Sequence, residues 1–223
     1  MKTLVIALVL VFSSSAFAQK TIDLKDASKY FDIKVTVAKC DDMYCEGKAT
    51  FSFYKKGATR PYQVINLPDT SIQLDDSGDA LVNTTTLYDK QSVVNIDDYN
   101  FDGMEDVAIC NGTNGSYNGP SYNVYLSNKA TKKFVLDRAF TTLASHLGMF
   151  TVDKIKKTLE TFDKDGCCWH ITERYEIVAG KPRKIFEETE DARIADLTKI
   201  RITTKKLVSG KWKSSSKLVK REE

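Results

Sequence analysis

The sequence predicts an all-β, mainly antiparallel fold: a propeller-like arrangement or a sandwich of β-hairpins, with one or two short helices. Two observations carry that expectation. Short segments alternate apolar and polar residues with a period of two, as half-buried strands do. Turn-forming pairs such as Lys56-Gly57, Asp165-Gly166 and Ser209-Gly210 separate them, at intervals of roughly ten residues. Evenly spaced short strands of this kind build sandwiches and propellers.

The chain opens with one lysine, an apolar run over residues 4–12, and small residues ending Ala16-Phe17-Ala18. These are the three parts of an export signal, and the apolar run is shorter than the roughly 20 residues a bilayer span needs. Residues 1–18 are therefore read as a signal peptide. A single β domain then occupies residues 19–223, exported to the periplasm, with secretion as the alternative, and with no membrane insertion after cleavage. A chain of this size buries a sizeable core without metal or disulfide support. Its net charge is only +3, and Lys2 leaves with the signal, so no nucleic-acid footprint is indicated.

Strand patterns fall at residues 33–38, 50–54, 62–65, 122–126, 149–152, 158–162, 174–178 and 184–187. Ala179-Gly180-Lys181-Pro182 and Ser209-Gly210 read as hairpin tips, and the Lys-rich stretch 199–221 as a solvated strand pair. Helical spacing of apolar residues occurs in two places, Asp23 to Tyr30 and Asp137 to His146.

Five cysteines leave at least one unpaired within the chain. Cys40 and Cys45 enclose a span that a hairpin tip bridges. Cys167 and Cys168 are neighbours, and strand neighbours face opposite ways, so one of them is expected to face Cys110 while the other stays free. No repeated C-x-x-C supports zinc.

The segment with the sharpest chemistry is residues 98–106. Asp98, Asn100, Asp102 and Asp106 place side-chain oxygens at loop positions 1, 3, 5 and 9, with Gly103 at position 6. Calcium takes six to eight oxygens, so oxygens spaced two apart in a tight turn, with the Met104 carbonyl, suit one Ca²⁺ ion. Gly103 supplies the left-handed bend that wraps the backbone. Position 12 is Ile109 where a helix-loop-helix site needs a bidentate glutamate. The loop instead resembles the D-x-N-x-D-G-x-x-D loops between strands of integrin-type propeller repeats. The alternative is an Asx-rich turn holding no metal.

After this loop come Gly119-Pro120-Ser121-Tyr122 and, further on, Gly166-Cys167-Cys168-Trp169-His170. Their order resembles a family of periplasmic calcium-binding immunity proteins that inhibit lysozyme-like toxins of bacterial type IV secretion systems. The likeness spans residues 93–190. It implies a propeller-like β fold, a lysozyme-like effector protein as partner, and inhibition by blocking the effector's cleft. Lysozyme inhibitors of several folds use a loop S-G-x-x-Y; here Asn118 stands where serine is expected. The partner-binding set is then Ser116, Tyr117, Asn118, Gly119, Ser121 and Tyr122. Its Gly, Asn, Ser and Tyr content is that of adaptable binding loops, and its place after the calcium loop implies stiffening. A plain surface loop with Tyr122 in the core is the competing account.

Catalytic constellations are weak. His146 and His170 are the only histidines, and there is no P-loop, G-x-S-x-G or H-E-x-x-H. The chain reads as a non-enzyme: an exported calcium-binding protein that inhibits a peptidoglycan hydrolase. The alternative is a calcium-stabilised adhesive or scaffolding module for envelope glycans or proteins.

Overall fold

The computed structural model describes residues 19–85 and 91–221, so residues 1–18, read above as a signal peptide, lie outside the described residues. Three antiparallel sheets follow one another along the chain. The first holds β1 (Lys20–Leu24), β2 (Phe31–Cys40), β3 (Tyr44–Lys55) and β4 (Gln63–Leu67) in that order, with β5 (Ser71–Gln73) also on β3. The second is β6 (Val94–Asp97), β7 (Asp106–Cys110), β8 (Tyr122–Asn128) and β9 (Lys133–Leu136). The third runs β10 (Thr151–Asp153), β11 (Thr158–Asp165), β12 (Trp169–Val178), β13 (Lys181–Asp191), β14 (Lys199–Val208) and β15 (Lys211–Lys220). The all-β antiparallel expectation holds. Among the described residues the sheets are layered and do not close into a ring of blades.

The layering explains why β7 does not alternate. Every residue of β7 is buried. Val107 and Ile109 join the apolar cluster shared with Val35, Phe51 and Phe53 of the first sheet. Ala108 and Cys110 face the opposite way, into a second cluster with Phe140, Phe150 and Leu159. A strand covered on both faces reads as a continuous apolar run, which is what Val107-Ala-Ile-Cys110 is. The middle sheet is therefore a wall between two cores.

Helix α1 (Arg138–Leu143) covers the second core with Phe140 and Leu143. It starts where the sequence indicates, because the Asp137 carboxylate accepts the Ala139 and Phe140 amides at 2.9 and 3.3 Å. The other expected helix, Asp23 to Tyr30, does not form. Ile22 and Leu24 are buried in β1 instead, and Asp26 adopts a left-handed φ of 54°, which ends regular structure. Ser28 then closes the turn, its hydroxyl accepting the Tyr30 and Phe31 amides at 3.0 Å each.

Both predicted hairpin tips are two-residue turns with positive φ at each position: Ala179 (51°) and Gly180 (74°), Ser209 (50°) and Gly210 (76°). This twist matches that of the strands they join. Cys40 and Cys45 sit opposite one another in the β2–β3 register and are disulfide-bonded. The expectation for the other cysteines is corrected. Cys167 bonds to Cys168, and Cys110 is buried and free. The argument from opposite strand faces fails because the two adjacent cysteines lie in the turn between β11 and β12, outside either strand.

Beyond β12, whose Tyr175 and Ile177 still pack against the second core, no described residue of the third sheet joins an apolar core, and ion pairs take its place. Glu187 accepts from Lys184 at 2.9 Å and Lys205 at 2.7 Å, and these ammonium groups hold its carboxyl below the usual 4.5. The contribution of this cluster is thus present above about pH 4.5 and lost as pH falls through the lowered value. Glu187→Gln is expected to destabilise the protein at pH 7, with the gap to wild type closing as pH falls through the lowered value, in urea melts from pH 7 downward. A gap that is constant with pH would contradict the assignment.

Candidate functional site

The 98–106 loop joins β6 to β7. Asp98 Oδ1 and Asn100 Oδ1 both accept the Asp102 amide, at 2.9 and 3.0 Å, so these two oxygens converge. Asp98 Oδ2 takes the Gly103 amide at 2.8 Å, and Asp102 Oδ1 takes that of Met104 at 3.0 Å. Gly103 has the expected positive φ, 89°, with open space around it. Lys129 donates to the Asp102 carbonyl at 3.3 Å.

Asp106 behaves differently. It is fully buried and accepts the Tyr99 amide at 3.0 Å and the Ser127 amide at 2.8 Å. One carboxylate thus fastens the loop to the end of β8. Burial pushes its carboxyl up to about 7, against the pull of the Ser127, Tyr99 and Asn100 amides and with the added push of Asp102. The Tyr99 hydroxyl below the loop is also buried, without a hydrogen-bond partner among the described residues. Burial, with Asp97 and Asp106 nearby, drives its pKa well above the usual value.

Does this loop suit calcium? Its donors are all oxygens, and a carboxylate oxygen that accepts one amide keeps a second lone pair for a cation. Among the described residues no group of three or more His, Cys, Asp or Glu side chains is placed to hold a metal ion. The hard-cation chemistry therefore rests on Asp98, Asp102 and the neutral oxygens of Asn100 and Met104. Asp106 faces its two amides below them.

The segment after β7 divides in two. Tyr122 is fully buried, its hydroxyl donating to the Ser92 carbonyl at 2.9 Å. Ser121 is buried as well, and its hydroxyl donates to Asn111 Oδ1. Neither reaches a partner in this structure, so the expected partner-binding set narrows to Ser116, Tyr117, Asn118 and Gly119. The tyrosine of the segment that is exposed is Tyr117, at 58%.

Residues 116–119 are held from outside their own hairpin. The Ser116 hydroxyl donates to Asp163 Oδ2 at 2.9 Å, and His146 Nδ1 meets the same oxygen at 3.3 Å. The Ser116 amide donates to the His146 carbonyl, and the Gly166 amide donates to the Tyr117 hydroxyl. Lys164 lies over the Tyr117 ring at 5.0 Å. A Cβ at Gly115 would stand 2.9 Å from the His146 and Pro120 carbonyl oxygens, so only glycine fits there. Tyr117 and Asn118 take left-handed φ values of 58° and 55°. Non-glycine residues are uncommon there, and such strain gathers where a site must be preorganised.

Two expectations change here. The loop begins at the opposite end of β7 from residues 98–106, so it is braced by the β11–β12 hairpin and not directly by the 98–106 loop. Sequence reading also missed Asp163, which lies 47 residues from Ser116 and carries no local motif. The Ser116, Asp163 and His146 trio is not a nucleophile array. Asp163 sits between the other two, and the serine has the carboxylate, not the imidazole, as its partner.

No family model matches the chain, and no curated protein does. Among solved structures, a chain described as a Xanthomonas type IV secretion system related protein is similar to it, with a TM-score of 0.66 at 24% identity. The match covers 92% of this chain and 97% of that one, so the two share a fold over nearly their whole lengths.

Because Asp106 anchors the loop, Asp106→Ala leaves the buried Tyr99 amide unpaired, at about 1–3 kcal/mol, and the half-buried Ser127 amide at a smaller cost. Chemical denaturation in chelator should show a loss of that size, with Asp98→Ala costing less. Equal, small losses for both variants would contradict the anchoring role.

Proposed function

We propose that this chain is an exported, calcium-stabilised protein that inhibits a lysozyme-like peptidoglycan hydrolase by direct binding, and that it does no catalysis itself. The observation that carries the reading is the exposed Tyr117, braced in a left-handed backbone by Gly166 and Lys164. A rigid, amphipathic ring on a preorganised loop binds with little loss of conformational freedom. The full-length fold match to a protein described as related to a type IV secretion system supports an effector as the partner, and periplasmic export supports where they meet.

Calcium in this reading is bound by Asp98, Asn100, Asp102 and the Met104 carbonyl, while Asp106, expected from the sequence as a fifth ligand, spends both oxygens on the Tyr99 and Ser127 amides behind them. Its chemistry is neutralisation: a dication beside Asp102 and Asp106 removes the repulsion that their proximity imposes. Binding at 100-fold excess over Kd contributes about 2.7 kcal/mol. Chelator should therefore lower the melting temperature by several degrees, and Asp98→Ala with Asp102→Ala should abolish the difference. An identical melting curve with calcium and with chelator refutes the ion's role.

For the partner, purified residues 19–223 should form a stable complex with a lysozyme-like effector and suppress peptidoglycan lysis. Truncating an anchoring aromatic costs about 2 kcal/mol or more, roughly thirtyfold in affinity. Tyr117→Ala is expected to weaken inhibition by that factor while leaving the melting temperature nearly unchanged. Absence of inhibition across a panel of lysozyme types, with binding on a glycan array, would favour the adhesive reading instead.

A further inference from the structure

The β14–β15 hairpin has a charge distribution that the fold itself does not require. Between Lys199 and Arg221 the sequence carries nine Lys and Arg residues and no Asp or Glu. Neither face of this hairpin enters an apolar core. Register sorts the cations into two sets. On one face, Lys205 pairs with Glu187 at 2.7 Å, Lys199 pairs with Asp196 at 3.0 Å, and Arg201 stands opposite Asp191. On the other, Lys206 stands opposite Lys213, Lys211 opposite Val208 and Lys217 opposite Ile202. Those four lysines make no ion pair among the described residues.

Like charges directly opposite on one face destabilise a strand pair. The Lys206–Lys213 pair is such a cost, and it recurs at Lys199–Lys220. Lysines on an edge strand do guard against unwanted pairing. That accounts for Lys211, Lys213 and Lys217 on β15, which is the last strand of its sheet. Edge protection does not account for Lys206 on the inner strand β14, whose ammonium lies over the ring of its register partner Phe186 at 5.7 Å and still faces Lys213 on the other side.

We infer that the open edge of β15 takes an extended acidic segment of a protein partner as an added strand. Main-chain hydrogen bonds along the free edge supply the attachment, and side chains at alternate positions supply selectivity. Carboxylates at every second residue of the incoming strand face Lys211, Lys213 and Lys217, with Lys206 one strand behind. The opposed lysines, costly in the free protein, become cross-strand ion pairs in the complex. The same lysines repel basic strands, and a neutral strand would have to desolvate them without compensation. A flat anionic membrane fits the arrangement less well, because the hairpin's exposed Trp212 and Leu218 lie on the face opposite these lysines.

The inference stands apart from the inhibitor reading and is tested without a hydrolase. A blocked ten-residue peptide of alternating Thr and Glu is titrated against residues 19–223, alongside vesicles containing phosphatidylglycerol. The expected result is saturable peptide binding that weakens about tenfold between low and high salt, as exposed charge pairs are screened. Hydrogen exchange should slow at the amides of β15 that do not face β14. Lys211→Glu with Lys213→Glu and Lys217→Glu should remove binding, while Lys213→Glu alone should raise the melting temperature by pairing with Lys206. Peptide binding that survives the triple reversal, or no slowing along β15, overturns the proposal. So does capture by the vesicles with none by the peptide.

Discussion

One buried carboxylate organises the middle of this protein. Asp106 stands at the start of a strand with a core on each side, and its two oxygens take amides from the loop behind it and from the strand beside it. Removing a charge from water is costly, which is why burial drives its pKa to about 7. That cost is tolerated because the alternative is worse: the buried Tyr99 N–H and the half-buried Ser127 N–H with nothing to accept them. Glu105, the preceding residue, turns the other way and accepts from the Ser28 hydroxyl and the Lys29 amide, tying the same bend to the first sheet. The bend is thus fastened on both sides by adjacent acids pointing in opposite directions, as strand geometry requires.

From that fixed point the architecture follows by alternation. Val107 and Ile109 build one core, Ala108 and Cys110 the other, and the hairpin partner Tyr122 fills the second core while its hydroxyl finds the Ser92 carbonyl. The third sheet starts on this second core through Phe150 and Leu159, then leaves it. Beyond β12 it is held by turns and ion pairs. The molecule therefore has a stiff layered body and an arm without a core, and its two candidate binding surfaces occupy different parts of that division. The residues 116–119 loop sits where body and third sheet meet, whereas the charged edge lies at the far side of the arm.

Much of this was legible in the sequence, for identifiable reasons. Local rules act over a few residues, so the strand alternation, the hairpin tips at 179–182 and 209–210, a helix opening near Asp137 and the Cys40–Cys45 bridge all read correctly, although that helix ends at Leu143 and not at His146. The oxygen ladder at 98–102 also reads locally, since its oxygens converge on one amide. What failed depended on partners distant in the chain. A helical stripe at residues 23–30 lost to pairing with β2, which buries Ile22 and Leu24. Tyr122 reads as a binding residue from its local sequence because its burial comes from β7, α1 and the third sheet. The clamp on Ser116 comes from Asp163, for which no spacing rule exists. The adjacent cysteines were placed in a strand when they form its turn.

These failures change the account of how the exposed tyrosine is held. A loop that is rigid because of its neighbours in space, and not because of a metal ion at the other end of a strand, should respond to the loss of the β11–β12 contact. Hydrogen-exchange mass spectrometry on peptides covering residues 111–121 addresses this directly, comparing wild type with Asp163→Ala and with the calcium-free protein. The account predicts faster exchange in this segment for Asp163→Ala, with little change on removing calcium. Unchanged exchange in the variant, with acceleration on chelation, would contradict it and return the loop's order to the ion.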